Sequence, residues 1–294
     1  MSDEDRYIPG VPCWVDTTQP DPEAAVAFYG GLFGWEFEDV MPPGAERPYF
    51  VGRLPGGDVA AVGDVPPGAP PRAVWNTYVW VADADETAGK VRAAGGRVVM
   101  EPGEVGDSGR MAVCTDPAGA FFRLWQPGTH RGAAVVNEPV SLNFNNLLTR
   151  DLDGARAFYG AVFGWEALSM GEVGFWALPA YGDFLERRRP GMRAGMAEMG
   201  APARFEEAVA TLGPIPDDQP DTPPHWGVTF AVDDADAIAT RAEELGGRVI
   251  VPPFDAPWVR MTVIADPQGA FFTASKFVPE NKEPAATREA AAGA

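Results

Sequence analysis

The feature that most constrains this 294-residue chain is that it repeats itself. Asp21-Pro-Glu-Ala-Ala-Val-Ala-Phe-Tyr-Gly-Gly-Leu-Phe-Gly-Trp-Glu returns as Asp151-Leu-Asp-Gly-Ala-Arg-Ala-Phe-Tyr-Gly-Ala-Val-Phe-Gly-Trp-Glu, offset by 130 residues. Asp116-Pro-Ala-Gly-Ala-Phe-Phe returns as Asp266-Pro-Gln-Gly-Ala-Phe-Phe, offset by 150, and Gly95-Gly96-Arg97-Val98 matches Gly246-Gly247-Arg248-Val249. A pattern written twice specifies the same supersecondary unit twice. The halves are homologous, and the second carries about 20 extra residues between its matched blocks.

Each half reads as strand, helix and three strands, twice over. A strand (Cys13–Thr18; Leu142–Leu147) runs into a helix capped by Asp21 or Asp151, with Pro22 at the first helical position of the first copy. Phe28 and Leu32, or Phe158 and Val162, give that helix an apolar stripe, and Gly34 or Gly164 stops it. Short strands follow around Tyr49–Leu54 and Val59–Val62, then an alternating strand at Asn76–Val81 or Gly227–Val232. A second helix opens at Asp83/Asp85 or Asp234/Asp236 and ends at the Gly-Gly pair. Three strands close each half: Arg97–Met100, Met111–Cys114 and Ala120–Trp125, with counterparts Arg248–Val251, Met261–Ala265 and Ala270–Ser275.

The expected fold is α+β: four βαβββ modules in tandem domains, forming two curved mixed sheets with concave cavities. The domains are read at 8–127 and 140–278, joined by a linker at 128–139 and followed by a flexible tail at 279–294. In the second-half insertion, Phe205–Leu212 reads as a short helix and Pro214–Pro224 as a loop, together a lid over the second cavity. Arg187-Arg188-Arg189 reads as a solvated turn before Pro190.

Charge narrows the partners. With 23 basic against 42 acidic residues the net charge is −19, which argues against nucleic acid and against an anionic membrane surface. No apolar run approaches the roughly 20 residues of a membrane span. The acidic start, Met1-Ser-Asp-Glu-Asp, has no apolar signal region, so the expected location is cytoplasmic. Cys13 and Cys114 lie in apolar runs and read as buried thiols. Phosphate-binding glycine loops and a nucleophile elbow are absent from the sequence.

Four βαβββ units in two pairs, with Asp-x6-Phe-Tyr-x4-Gly-Trp blocks, Val-x-Asp-Ala-Asp helix entries and Asp-Pro-x-Gly-Ala-Phe-Phe turns, resemble the vicinal oxygen chelate superfamily. That superfamily contains glyoxalase I, bleomycin-resistance proteins and extradiol dioxygenases. The resemblance covers about residues 8–278. It is nearest to tandem actinobacterial members of the hydroxylase or 27 kDa antigen type, through His225-Trp226, Pro257-Trp258-Val259-Arg260-Met261 and Ser275-Lys276-Phe277.

The resemblance also implies where a metal would sit, because family enzymes mostly hold a divalent ion with His and Glu on the inner face of the sheet. The first ligand position, seven residues before the capping Asp, is Trp14 or Phe144 here. The second, at the start of the fifth strand, is Asn76 or Gly227. The last, seven residues after the Asp of Asp-Pro-x-Gly, is Arg123 or Thr273. A site of that kind needs at least three imidazole or carboxylate donors at about 2.0–2.2 Å. The two histidines fall elsewhere, His130 in the linker and His225 just before a strand. The expectation is a protein with no metal and no cofactor. That argues against ordinary glyoxalase I or ring-cleaving chemistry, both of which rest on the ion.

Strand alternation then assigns side chains to the inner face. In the first half these are Trp14, Asp16, Asn76, Tyr78, Trp80, Arg123 and Trp125; in the second, Phe144, Asn146, Thr229, Thr273 and Ser275. Arg260 is a candidate carboxylate clamp, and Asp16 and His225 are candidate bases. Two readings of the first face are open: an aromatic ligand pocket, or aromatics that fill the sheet with Asp16 and Arg123 paired.

Three functions follow. The preferred one is metal-independent binding of a small, flat organic molecule. The others are a metal-free lyase, isomerase, cyclase or hydroxylase, with Asp16 or His225 as base and Arg123 or Asn76 facing an oxyanion, and an interaction scaffold with vestigial cavities. Assembly is read as a monomer with pseudo-two-fold halves or a homodimer.

Overall fold

The computed structural model describes residues 6–170 and 173–281. The tail read at 279–294 therefore lies outside the described residues beyond Asn281. The first half runs β1 (Pro12–Gln19), α1 (Pro22–Phe33), β2 (Glu36–Asp39), β3 (Tyr49–Leu54), β4 (Gly57–Asp64), β5 (Val74–Trp80), α2 (Ala84–Ala93), β6 (Arg97–Val105), β7 (Gly109–Thr115) and β8 (Phe121–Pro127). The second runs β9 (Leu142–Thr149), α3 (Leu152–Phe163), β10 (Glu166–Met170), β11 (Val173–Ala177), α4 (Pro179–Arg188), α5 (Met192–Met199), a 3-10 turn at Phe205–Glu207, β12 (Ala208–Pro214), β13 (His225–Ala231), α6 (Ala235–Glu244), β14 (Arg248–Ala256), β15 (Val259–Ala265) and β16 (Phe271–Phe277).

Local chemistry sets the helix ends as the sequence predicts. Asp21 accepts from the Ala24 amide at 3.0 Å and Asp151 from the Gly154 amide at 2.8 Å, each satisfying an orphan donor of the first turn. Gly34 and Gly164 end α1 and α3 at φ 71° and 73°, a left-handed conformation that glycine adopts without penalty.

The strands form two open eight-stranded mixed sheets, ordered β2-β3-β4-β1-β5-β8-β7-β6 and β10-β11-β12-β9-β13-β16-β15-β14. Within each module the first strand runs parallel to the last, as in β1 with β4 and β5 with β8. This is the α+β, four-module architecture read from the repeat. No helix among the described residues is long and apolar enough to cross a membrane.

The chain also divides into two compact units, and each draws on both halves of the sequence. The first unit comprises described residues within Met1–Trp14, Asn76–Gly132 and Phe144–Gly227. The second takes Val15–Trp75, Ala133–Asn143 and the described residues from Val228 onward. In the second unit, Phe33, Trp35 and Trp75 pack on Phe230 with ring centroids 5.1–5.4 Å apart. In the first, Tyr159 sits 5.8 Å from Phe122 and 5.5 Å from Trp226. Each buried ring contributes about 1.5–3 kcal/mol by burial, and each well-oriented pair roughly 0.5–1.5 kcal/mol more.

The repeated polar residues lock these cores. Trp75 Nε1 donates to the Tyr29 hydroxyl at 3.1 Å, and Tyr29 donates to Asp266 at 2.9 Å. In the other unit Trp226 donates to Tyr159 at 2.8 Å, and Tyr159 to Asp116 at 3.1 Å. The second glycine of each Gly-Gly pair makes room for the first helix of the other half: a Cβ on Gly96 would stand 2.7 Å from Phe158 of α3, and one on Gly247 3.0 Å from Phe28 of α1.

Two expectations for the insertion are corrected. Phe205–Leu212 is not a helix: after the 3-10 turn the chain becomes β12, which pairs with β11 and β9. The Ala/Glu-rich sequence has helical propensity, but completing the module's sheet overrides it. Nor are the three arginines a turn. Arg187 and Arg188 end α4 and Arg189 caps it, where positive charge suits the negative end of the helix dipole.

Candidate functional site

Register places the predicted residues in rows on the face of the first sheet opposite the helices. Within the first unit, Met100, Val113, Arg123 and Tyr78 form one row across β6, β7, β8 and β5; Gly103, Met111, Trp125 and Trp80 form the next. The Arg123 guanidinium lies over the Tyr78 ring, 5.0 Å from its centroid, and also donates to the Tyr78 hydroxyl. A planar cation on an aromatic face is held in orientation as well as in place. Outward of this pair the row opens: Met100 is 42% exposed and Phe121 56%, while Asn76, Arg123, Met111 and Val113 are half-buried.

Inward, the same face is filled. Trp14 and Trp125 are 2% and 5% exposed, and Tyr78 and Trp80 are equally buried. Tyr7 covers Trp80 at 5.9 Å. His130 packs its ring edge-on to Trp14 at 4.5 Å and to Trp125 at 5.6 Å, and its carbonyl accepts from Trp125 Nε1 at 3.1 Å. Sequence reading left His130 in the linker and so missed it. Its signal was modest: it is one of two histidines, five residues past Trp125.

Asp16 belongs to the second unit. It is buried and accepts from the Tyr49 hydroxyl at 3.1 Å, another residue not singled out from sequence. Gly63, the β4 residue opposite Tyr49, leaves room for that ring, since a Cβ there would stand 3.1 Å from it.

On the second sheet, Phe144 and Asn146 lie in the first unit. Phe144 contacts Phe175 at 5.9 Å and Phe205 at 6.5 Å, and Thr211 donates to Asn146 at 2.7 Å. Phe205, from the insertion, therefore lies over the inner face at β9 and β11. His225, the first residue of β13, has Nδ1 2.8 Å from the Pro223 carbonyl. A carbonyl only accepts, so this contact suits the tautomer with its proton on Nδ1.

Thr229, Thr273 and Ser275 lie in the second unit, Thr229 opposite Thr273 and Ser275 opposite Ala231. Beside them Val251 and Phe254 are exposed, and Met261 and Val263 are half-buried.

Met261 pairs with Ser275 on the inner face, so alternation turns Arg260 to the helix side. There it donates to both oxygens of Asp236 at 2.6 and 2.8 Å and to Asp255 at 3.2 Å, and it holds the Asp236 carboxyl below its ordinary pKa. Arg110 is likewise tied to Asp85 and Glu104.

Comparison with known proteins identifies this architecture. Residues 14–124 and 141–273 each match the family model of the glyoxalase/bleomycin resistance protein/dioxygenase superfamily. The chain belongs to this superfamily. Among its relatives is CFP32 of Mycobacterium bovis, provisionally named a glyoxylase, 42% identical over 95% of this chain and 100% of that protein. Anthracycline biosynthesis protein DauV of Streptomyces sp. strain C5 is 37% identical, covering 91% of this chain and 94% of its own. Among solved structures, the Mn(II)-bound glyoxalase of Novosphingobium aromaticivorans superposes with TM-score 0.58 at 16% identity, over 94% of this chain and 83% of that one. The 2,3-dioxygenase LapB of Pseudomonas sp. KL28 gives 0.59 at 12%, over 95% and 97%. At these identities the likeness is one of fold.

The superfamily fold implies a divalent metal on the inner face, and the residues present do not fit one. The ligand positions hold Trp14, Asn76 and Arg123 in the first half and Phe144, Gly227 and Thr273 in the second. An indole, a phenyl ring and a glycine donate nothing, and a guanidinium repels a cation. Among the described residues no group of three or more His, Cys, Asp and Glu side chains is arranged to hold an ion.

Proposed function

We propose that this superfamily member binds a planar, oxygen-bearing aromatic molecule on the inner face of the first sheet, without a metal, with Arg123 meeting the ligand's oxygen. The observation that carries the reading is the Arg123–Tyr78 pair set in an apolar row. Where family enzymes place a metal ligand, this chain places a fixed, weakly hydrated planar cation, which suits a phenolate or quinone oxygen and stacks with a flat ring. Met100, Val113 and Phe121 supply the apolar flank such a ring needs. Relatives named for anthracycline biosynthesis, a class of flat hydroxyquinones, favour a ligand of that chemistry. The free, buried thiols Cys13 and Cys114 suit a reducing compartment, in keeping with a cytoplasmic protein.

Titration with 1,2-dihydroxyanthraquinone, followed by tryptophan fluorescence and calorimetry, tests the reading. Saturable binding is expected, unchanged by a chelator or added Mn²⁺, and at least tenfold weaker in Arg123→Met. Absence of binding, loss of binding with the chelator, or an Arg123→Met variant equal to the natural protein would overturn it.

One observation favours a catalytic second reading: Asp16 is a buried carboxylate oriented by Tyr49. That reading concerns a substrate held beside Asp16 within the second unit and requires its conversion, which an Asp16→Asn variant would abolish.

A further inference from the structure

The aromatic floor of the first face is closed by a piece of the linker rather than by the sheet. Residues 128–132 cross it as a strap, pinned to the β6–β7 hairpin tip through backbone. The amides of Gly128 and His130 donate to the Ser108 carbonyl at 2.8 and 3.1 Å, and that of Thr129 to the Asp107 carbonyl at 2.9 Å. Gly128 and Thr129 are exposed, so the one group from these three residues that reaches the floor is the His130 imidazole, edge-on to Trp14 and Trp125.

We infer that the slot between Trp14 and Trp125 is itself a binding site for one flat aromatic ring, which His130 fills in the closed protein, and that residues 128–132 swing away when the ring enters. This rests on the small-molecule reading above and names how the ligand reaches that face. The imidazole has the shape of the proposed occupant but is smaller and polar, so a neutral fused ring buries more apolar surface in its place. Release of the strap also frees Trp125 Nε1 from the His130 carbonyl, giving the ligand a donor directed at its oxygen. Opening exchanges three backbone bonds at the surface for bonds to water, a small net change for each.

Two glycines fit the strap to its seat. A Cβ on Gly128 would stand 2.3 Å from the Asp107 carbonyl oxygen. One on Gly132, at φ 79°, would stand 2.5 Å from that of Cys13. An alanine at either position must lift the strap.

The test uses the full chain with 1,2-dihydroxyanthraquinone as probe. His130→Ala and Gly132→Ala are each expected to lower its Kd about tenfold, because the competing plug is removed or loosened. Saturating probe is expected to speed amide exchange of residues 128–132 at least threefold in the natural protein. A merely structural strap predicts the opposite: equal or weaker binding in the variants, and slower or unchanged exchange. Should Gly132→Ala fail to fold, His130→Ala and the exchange measurement carry the test. Arg123-dependent binding with an unmoved strap would overturn this inference and leave the functional reading standing. Absence of binding to all three proteins would overturn both.

Discussion

The Tyr29 hydroxyl donates to Asp266 across 237 residues of sequence, and Tyr159 makes the matching bond to Asp116. The Phe-Tyr motif of one half is thus satisfied by the Asp-Pro-x-Gly turn of the other. Both phenols are wholly buried, and burial holds their pKa values well above the usual range, so they remain donors at any working pH.

Removing these hydroxyls separates the two networks. Tyr159→Phe leaves Trp226 Nε1 and one Asp116 oxygen without partners, a loss of about 1–3 kcal/mol. Tyr29→Phe is expected to cost less, because Asp266 also accepts from Gln19 at 2.6 Å. Urea denaturation of both variants checks the order.

Asp116 gives a pH dependence of defined sign. Burial raises its carboxyl pKa, opposed by bonds from the Ala120 amide and Tyr159. Between the unfolded value, about 3.9, and the raised native value, the folded state binds the extra proton, so stability falls as pH rises through that window. Asp116→Asn is expected to flatten this part of the profile, measured as denaturation midpoint against pH.

The thiols are expected to be silent. Burial pushes Cys114 up to about 12 and Cys13 higher still, and both are fully inaccessible. At pH 8 the native protein is expected to release no thionitrobenzoate from Ellman's reagent, and the denatured chain two equivalents.

Arg260 and Arg123 serve as each other's control. Arg260 is committed to Asp236 on the helix side, so Arg260→Met is expected to leave ligand binding within twofold. Arg123→Met is expected to weaken it tenfold or more. Calorimetry with the same probe compares them.

Where a side chain follows strand parity, the sequence was legible. Asn76, Tyr78 and Trp80 share a face of β5, and Arg123 and Trp125 one of β8, because their spacing along each strand is even, and capping Asp21 and Asp151 mark helices because the chemistry is local. Arg260 was read as preceding a strand, whereas it lies within β15, one residue from Met261, and so faces the helices and Asp236. His130 and Tyr49 were missed because a linker and an edge hairpin reach the site through tertiary paths that no periodicity encodes. The Tyr29–Asp266 bond was written in the repeats, yet the pairing of first module with last is a choice of topology, and nothing local distinguishes it from pairing within a half.

That pairing has a consequence during synthesis. A ribosome releases the first module early, but Phe230 and Phe272, against which Phe33 and Trp35 pack, emerge more than 150 residues later. At roughly 5–20 residues per second this is a wait on the order of ten seconds or more. The middle of the chain, holding both Asp116 and Tyr159, can close its core first, while the leading module stays without its partner until Phe230 and Phe272 have been made.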